Sequence, residues 1–254
     1  MAAQRFIIPV FLIAFLAAQA FSQITIATAA SVQFAMEELR AAFTKSTGIE
    51  AKAVYGASGA LVTQIRNGAP FDVFVSADMG FPDSLRAKGY AAGKPKPYAY
   101  GKLVLWTMKD PKDLKLSPDL AFLKDPGIAK IALADIKKAP YGREAAKALK
   151  KAGFYDAVES KLVFGENISQ VSQYVLTGNV EVGFDAKSIV VAKEMQGKGQ
   201  WIEVDPALYD RIAQGAVMTR TGYDNHAREA ATFLEFLYSK TGKKILEDYG
   251  YAVP

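Results

Sequence analysis

The chain has 254 residues, half of them hydrophobic, 22% charged and 11% aromatic, so it can bury one or two substantial cores and is not a disordered or low-complexity protein. It has no cysteine and one histidine, His226, which excludes thiol catalysis, disulfide bonds and zinc sites made of Cys and His. The net charge is +5, from 31 basic and 26 acidic residues. Because these basic residues do not cluster with aromatic residues, no nucleic-acid partner is expected.

Residues 1–22 have the pattern of a secretory signal peptide. Arg5 is followed by an apolar run of about 13 residues, too short to span a bilayer, and then by small residues at cleavage spacing. We expect cleavage after Ala20 or Ser22; an uncleaved anchor helix is the alternative that this length disfavours. No cysteine follows the apolar run, which argues against a lipoprotein, so an exported protein without a membrane anchor is expected.

Beyond this segment, strand-like and helix-like stretches alternate, as in parallel βαβ units. The predicted strands are residues 24–28, 51–55, 71–75, 102–107, 131–134, 161–164, 180–184 and 213–219. The predicted helices are residues 32–43, 60–67, 79–87, 142–152, 168–177, 226–237 and 240–249. Gly48 and Gly68 are predicted to end the first two helices. Residues 94–97 are predicted to form a surface turn, and Glu203 to lie in a polar loop.

The sequence predicts two α/β lobes joined by two crossing segments. We assign residues 23–101 and 214–254 to lobe 1 and residues 102–213 to lobe 2. The last two helices bring no strand set of their own, so we expect them to pack on one of the earlier units. Folds of this kind bind ligands in the crevice between lobes, where strand ends face helix N-termini.

The turns that enter four of the predicted helices are small, uncharged and rich in hydroxyl groups: Thr28–Ser31, Gly56–Gly59, Pro140–Gly142 and Glu166–Ser169. A helix N-terminus has unpaired N–H donors and a partial positive charge, so several that converge can bind an anion without Lys or Arg. The serines of the first two turns would add hydroxyl donors. For any single turn, a simple N-cap is the alternative interpretation.

The other candidates for chemistry are weaker. His226 is predicted to be a surface or capping residue, and Asp72, inside an apolar strand, needs partners that we expect to be nearby loop N–H groups. A nucleophile elbow, a P-loop and a dinucleotide-binding motif are absent from the sequence. A secreted hydrolase that uses Asp or Glu stays an alternative, which would require paired carboxylates in the cleft.

Three segments, Thr28–Ser31 with its following helix, Tyr55–Ile65 and Gly68–Asp78, closely resemble the periplasmic molybdate-binding proteins of ABC transporters. The resemblance covers essentially the whole mature chain, including Ala134–Gly142 and Tyr249–Val253. It implies a two-lobed α/β periplasmic-binding-protein fold of type II. Each lobe would be a mixed, mostly parallel sheet flanked by helices, and the lobes would close on a tetrahedral dianion held by neutral donors.

The resemblance also implies the ligand-binding residues: Ser31 and Ser58 through their hydroxyl groups, and Ala30, Tyr141 and Ile168 through the backbone. The metal would be bound only as its oxyanion, without direct coordination by side chains. The family's common fifth donor, a tyrosine hydroxyl, is replaced here by Ala186. We therefore hypothesise that the phenol of Tyr141 supplies that donor.

The implied function is capture of molybdate, and of tungstate, in the periplasm and delivery to the membrane permease of an ABC importer. The resemblance implies a monomer with no cofactor and no enzymatic activity. A binding protein for sulfate, thiosulfate or phosphate with the same fold is the alternative. A site made only of donors suits ions that carry no proton at neutral pH, whereas hydrogen phosphate brings a donor that needs an acceptor.

Overall fold

The structure, a computed structural model, describes residues 23–254. The predicted signal peptide and its cleavage sites lie outside the described residues. Within that range, the strands are β1 (Gln23–Ala29), β2 (Glu50–Gly56), β3 (Val73–Val75), β4 (Ala91–Gly101), β5 (Leu103–Thr107), β6 (Ile131–Ala134), β7 (Leu162–Gly165), β8 (Val182–Ala186), β9 (Gln200–Glu203) and β10 (Ile212–Thr219).

The α-helices of the same range are α1 (Gln33–Thr47), α2 (Ser58–Arg66), α3 (Gly80–Ala87), α4 (Pro140–Lys151), α5 (Tyr155–Val158), α6 (Ile168–Leu176), α7 (Lys187–Val190), α8 (Arg220–Tyr238) and α9 (Lys240–Asp248). A short 3-10 helix, Ala30–Val32, precedes α1. Among these described helices, none combines the length and the apolar character that crossing a membrane requires.

The strands form two five-stranded sheets with the same plan. Their orders are β2-β1-β3-β10-β4 and β7-β6-β8-β5-β9. In each sheet the first three strands pair in parallel, and the fourth pairs antiparallel with both of its neighbours. All strands of a sheet except the fourth therefore run in one direction, which confirms the predicted architecture of two mixed, mostly parallel sheets.

Helices cover both faces of the first sheet, and the burial of its interior strand β1 reflects this. From Ile26 to Ala29 every residue of β1 is buried, as expected for a strand with helices on both sides. Phe43 of α1 packs edge-on against Phe233 of α8, with ring centroids 5.2 Å apart. Helix α1 then ends at Gly48, whose φ of 73° lies in the left-handed region that glycine adopts readily.

The chain crosses from the first sheet to the second between β4 and β5 and returns between β9 and β10. Helix α8 packs on β10 and β4, so the expectation that the C-terminal helices pack on an earlier unit is confirmed. We call the part around the first sheet lobe 1 and the part around the second lobe 2. The division at residues 101/102 and 213/214 stays a proposal, and β10 already begins at Ile212.

Two segments predicted as turn or loop are strands. Residues 94–97 belong to β4, and Glu203 ends β9. Both β4 and β9 lie at the edge of a sheet, where one side of the strand is unpaired and prolines and charged residues are tolerated. The Lys-Pro-Lys-Pro run and the polar residues around Glu203 do not alternate with apolar residues, so the sequence pattern did not predict these two strands.

Candidate anion-binding site

The four turns identified in the sequence meet at one cavity between the lobes. Lobe 1 lines it with Ala29, Ala30, Ser31, Gly56, Ala57, Ser58 and Ala77, and lobe 2 with Ala139, Pro140, Tyr141, Asn167 and Ile168. The structure thus brings together all five residues predicted to bind the ligand. Their contact with an ion stays a prediction.

The position of the cavity follows from the sheet topology. Strands β1, β2 and β7 end at or next to it, and the 3-10 helix Ala30–Val32 and helices α2, α4 and α6 begin there. Parallel strands place their carboxyl ends at one edge of the sheet, and each following helix presents its N-terminus at that edge. The N–H groups and the positive ends of four helices therefore point toward a single volume, which favours an anion.

The cavity is uncharged and small. None of the described residues that line it is acidic or basic. The space open to the centre of a water-sized sphere is about 10 Å³, close to what one water molecule needs. The lobes are therefore in a closed arrangement.

Ser31 has the most informative side chain in this wall. The residue is 3% exposed, and its Oγ is, among residues 23–254, the one buried side-chain nitrogen or oxygen without a hydrogen-bond partner. Ser31 is not the N-cap, because that position is held by Ala29. A buried unsatisfied hydroxyl costs free energy, so its presence at converging helix N-termini favours a role in ligand binding.

Ser58 presents a hydroxyl hydrogen in a different way. Its Oγ accepts a hydrogen bond of 3.0 Å from the backbone N–H of Ala77, which leaves the hydroxyl hydrogen available to a ligand. The N-cap of α2 is Ala57, without a side-chain bond. The N-cap interpretation is therefore wrong for Ser31 and Ser58, while Asn167 does cap α6 by accepting from Gln170 N at 3.2 Å.

Lobe 2 contributes backbone donors. Pro140 is the first residue of α4 and has no N–H, so the first N–H group of that helix belongs to Tyr141. Ile168 is the first residue of α6. The N–H groups of a first helical turn have no partner inside the helix, so both are free to bind an ion in the cavity.

Two glycines allow the walls to approach closely. A Cβ at Gly142 would overlap the backbone carbonyl of Ala134 at the end of β6. A Cβ at Gly59 would lie 3.0 Å from the Cα of Lys138 in the other lobe, and Gly59 N donates to Lys138 O at 2.9 Å. The lobes therefore touch backbone to backbone beside the cavity.

The phenol of Tyr141 has a partner at the crossing strands, and its donation to an ion stays a prediction. Its hydroxyl accepts a hydrogen bond of 3.0 Å from Gln214 Nε2 and packs against Gly101, where the chain crosses between the lobes. Gln214 and Gly101 lie outside the set of residues that line the cavity. The structure thus places the phenol at the crossing strands, and Ala186 is buried at the end of β8, also outside the lining.

A buried acid that was not predicted from the sequence is Asp185 of β8. Asp185 is 0% exposed and accepts hydrogen bonds of 2.7 Å from Ser172 Oγ and from the N–H of Ala186. Burial raises the pKa of Asp185 from 3.8 to about 7. Its signal in the sequence is a carboxylate inside the apolar run Val182–Ala186, the same signal that singled out Asp72.

Asp72 and His226 form a separate pair away from the cavity. Asp72 accepts from the N–H of Thr25 at 2.7 Å, and its other oxygen lies 2.8 Å from His226 Nδ1. The prediction that Asp72 needs partners is confirmed, but they are a strand N–H and a histidine instead of loop N–H groups. Through this contact with Asp72, His226 connects α8 to the residue that directly precedes β3. In residues 23–254 no group of three or more His, Asp or Glu could hold a metal ion.

The chain is similar to known solute-binding proteins in sequence and in fold. The profile of the family described as bacterial extracellular solute-binding protein matches residues 24–252. The molybdate-binding protein ModA of Rhodobacter capsulatus is 40% identical over 91% of this chain and 89% of its own length. ModA of Azotobacter vinelandii is 37% identical, over 93% and 92%. The solved structure of the Azotobacter vinelandii periplasmic molybdate-binding protein matches with a TM-score of 0.85 at 28% identity, over 91% of this chain and 99% of that one.

Proposed function

The chain belongs to the family of bacterial extracellular solute-binding proteins, and we propose that it captures molybdate in the periplasm and delivers it to the permease of an ABC importer. The molybdate-binding relatives, which it matches over nine-tenths of its length, support this ligand. In this role the chain acts as an exported monomer after signal cleavage, without a cofactor and without chemistry on the ligand.

The observation that carries the proposal is the unpartnered hydroxyl of Ser31 in a cavity whose walls are uncharged. Ser31 and Ser58 would each donate a hydroxyl hydrogen, and the first turns of α4 and α6 would donate N–H groups from Tyr141 and Ile168. The backbone at Ala30 adds a further donor from the 3-10 helix. Molybdate carries no proton at neutral pH, so it can accept from all of these groups.

The same donor set explains which anions are disfavoured. Hydrogen phosphate would bring a hydrogen that needs an acceptor, and the lining residues include no carboxylate to provide one. Tungstate has the same charge and shape as molybdate, so we propose that it binds as well. Sulfate stays a second candidate because the cavity is small in the closed arrangement and sulfate is the smallest of the three dianions.

The neutral site also suits delivery. Helix dipoles and hydroxyl groups hold the dianion without a direct ion pair, so opening of the lobes is sufficient to expose it for release. The closed and open arrangements are two states that a membrane partner can distinguish. Because no carboxylate or histidine lines the described cavity, the lining offers no general acid or base for a carboxylate-dependent hydrolase.

Calorimetric titration and thermal unfolding of the mature chain with molybdate, tungstate, sulfate and phosphate would test this proposal. A ligand present at about 100 times its Kd stabilises the folded state by about 2.7 kcal/mol, so molybdate is expected to raise the Tm by several degrees. Phosphate is expected to produce no shift. A shift with sulfate and none with molybdate would replace the ligand assignment, and no shift with any of the four ions would refute oxyanion binding.

A further inference from the structure

A hydroxyl group of lobe 2 is bonded to the backbone of Ser31 in lobe 1. Ser188 Oγ donates to the carbonyl oxygen of Ser31 at 2.7 Å. Ser188 is the second residue of α7, directly after strand β8, and is 3% exposed. Ser188 lies outside the residues that line the cavity. It therefore holds a proposed ligand-binding residue without contacting the ligand itself.

A second hydroxyl reaches the same carbonyl from lobe 1. The hydroxyl of Tyr251 lies 3.0 Å from the carbonyl oxygen of Ser31 and 2.9 Å from Ser188 Oγ. The carbonyl oxygen has two lone pairs and can accept from both hydroxyl groups. All three oxygens are buried and have no access to water, so these hydrogen bonds satisfy them instead.

The two bonds differ in what lobe opening does to them. Tyr251 is attached to lobe 1, because the neighbouring Ala252 exchanges two backbone hydrogen bonds with Tyr100 of β4. Its bond to Ser31 therefore persists when the lobes separate. Ser188 follows β8 of the second sheet, so a separation of the lobes would move it away from Ser31.

We propose that Ser188 is a positioning residue for anion binding, which fixes the Ser31 backbone when the lobes close and thereby slows release of the ion. This inference rests on the proposed function, since Ser31 is taken as a ligand-binding residue. A bond made only in the closed state stabilises that state, and it slows opening because it has to break before the lobes separate. Encounter with the ion takes place in the open state and is independent of this bond.

The test is the variant Ser188→Ala in the full mature chain. The Ser31 carbonyl keeps its bond from Tyr251 in this variant, so folding is not expected to suffer. From the usual worth of one buried hydrogen bond, we expect the dissociation rate of molybdate to rise about three- to tenfold. The association rate is expected to change less than twofold. Stopped-flow fluorescence and calorimetry would measure both rates and the affinity.

Two further variants separate positioning from general loss of stability. Thr107→Val removes a buried hydroxyl bonded to Glu181 O inside lobe 2, and it is expected to lower the Tm without changing the dissociation rate. Tyr251→Phe removes the hydroxyl that contacts both Ser31 O and Ser188 Oγ, and it is expected to lower the Tm of the ligand-free protein. An unchanged dissociation rate in Ser188→Ala, or an equal rise in Thr107→Val, would overturn the proposal.

A readout that needs no ligand keeps this test separate from the ligand assignment. Small-angle scattering of the ligand-free chain reports the fraction of closed molecules through the radius of gyration. We expect Ser188→Ala to have a larger radius than the native chain. If the native chain binds no molybdate, the proposed function fails; an unchanged radius in the variant would then also refute the role of Ser188.

Discussion

The guanidinium Nη2 of Arg143 lies 2.7 Å from Oδ2 of Asp78, and this ion pair joins lobe 2 to lobe 1. Asp78 is held in place by accepting the N–H of Phe81 at the start of α3, at 3.0 Å. The pair accompanies two other contacts across the cleft, Gly59 N to Lys138 O and Ser169 Oγ to Gln33 Oε1 at 2.7 Å. Closure is thus supported by groups that need not touch the ligand.

The first prediction concerns this ion pair. Arg143→Ala is expected to weaken molybdate binding about two- to fivefold, the usual worth of a partly exposed ion pair. Asp78→Asn is expected to weaken it similarly, although it removes a negative charge near an anion site. Calorimetry at low and high salt would measure both. Tighter binding by Asp78→Asn would show that local charge, and not closure, governs the effect.

The two serines of the cavity are expected to respond differently to removal of their hydroxyl groups. Each variant, Ser31→Ala and Ser58→Ala, loses a hydrogen bond to a dianion and is expected to bind molybdate about 10- to 100-fold more weakly. Ser31→Ala is expected to leave the ligand-free Tm unchanged or to raise it, because its Oγ has no partner.

Ser58→Ala serves as the matched comparison, because it leaves the N–H of Ala77 without the hydrogen bond that it donates to Ser58 Oγ. Its ligand-free Tm is expected to fall by a few degrees. Thermal unfolding with and without molybdate measures both effects. A drop in the ligand-free Tm of Ser31→Ala equal to that of Ser58→Ala would contradict the assignment of Ser31 as a ligand donor without a structural bond.

A third prediction addresses Tyr141. Tyr141→Phe keeps the backbone N–H at the cavity and removes the oxygen that accepts from Gln214 Nε2. We expect the molybdate affinity to change less than twofold and the free energy of unfolding to fall by about 1 kcal/mol, because the Gln214 donor is left unpaired. Calorimetry and denaturant unfolding would check the two values. A tenfold loss of affinity would contradict this expectation and show that the phenol donates directly to the ion.

The buried carboxyl of Asp185 predicts how stability depends on pH. The pKa of its carboxyl is 3.8 when it is exposed to water, as in the unfolded chain, and about 7 in the folded chain. Between these two pH values the folded state therefore holds a proton that the unfolded state has lost. Its contribution is therefore fully present below about pH 4, decreases as the pH rises toward about 7, and is lost above it. The slope is at most about 1.4 kcal/mol per pH unit.

The variant Asp185→Asn isolates this effect, since asparagine resembles the neutral acid and does not titrate. The Tm of the variant minus that of the native chain is expected to grow from pH 5 to pH 8, as other titrating groups cancel in the difference. Thermal unfolding of the two ligand-free chains at four pH values would measure it. A difference that is constant with pH would show that Asp185 stays ionised in the folded chain.

Local chemistry of the chain was sufficient to find the cavity. Small hydroxyl-rich turns before amphipathic stretches placed Ser31 and Ser58 at helix starts, and alternation of strands and helices gave the two lobes. The sequence could not distinguish a serine hydroxyl that caps a helix from one that is free. This distinction depends on where Ala77 N lies and on which carbonyl groups surround Ser31. The N-cap alternative was wrong for a reason that only tertiary structure supplies.

The features that could not be predicted from the sequence depend on contacts between distant segments. Arg143 and Asp78 are 65 residues apart, and Ser188 and Ser31 are 157 apart, so spacing along the chain carries no sign of either pair. The edge strands β4 and β9 were missed because one unpaired side permits prolines and charges. The position of the Tyr141 phenol followed from Gln214 and Gly101, which belong to the crossing strands and not to the turn that the sequence highlighted.

The place of β10 in the first sheet determines the order in which the protein can be completed. Val75 of β3 pairs with Ala216 of β10, and β4 joins this sheet only through β10. The second sheet needs only residues 103–203, a continuous stretch of the chain. Lobe 1 has to bring distant segments together, a slow step in folding. Lobe 1 is therefore completed only by residues 212–219, although its first three strands all lie before residue 76.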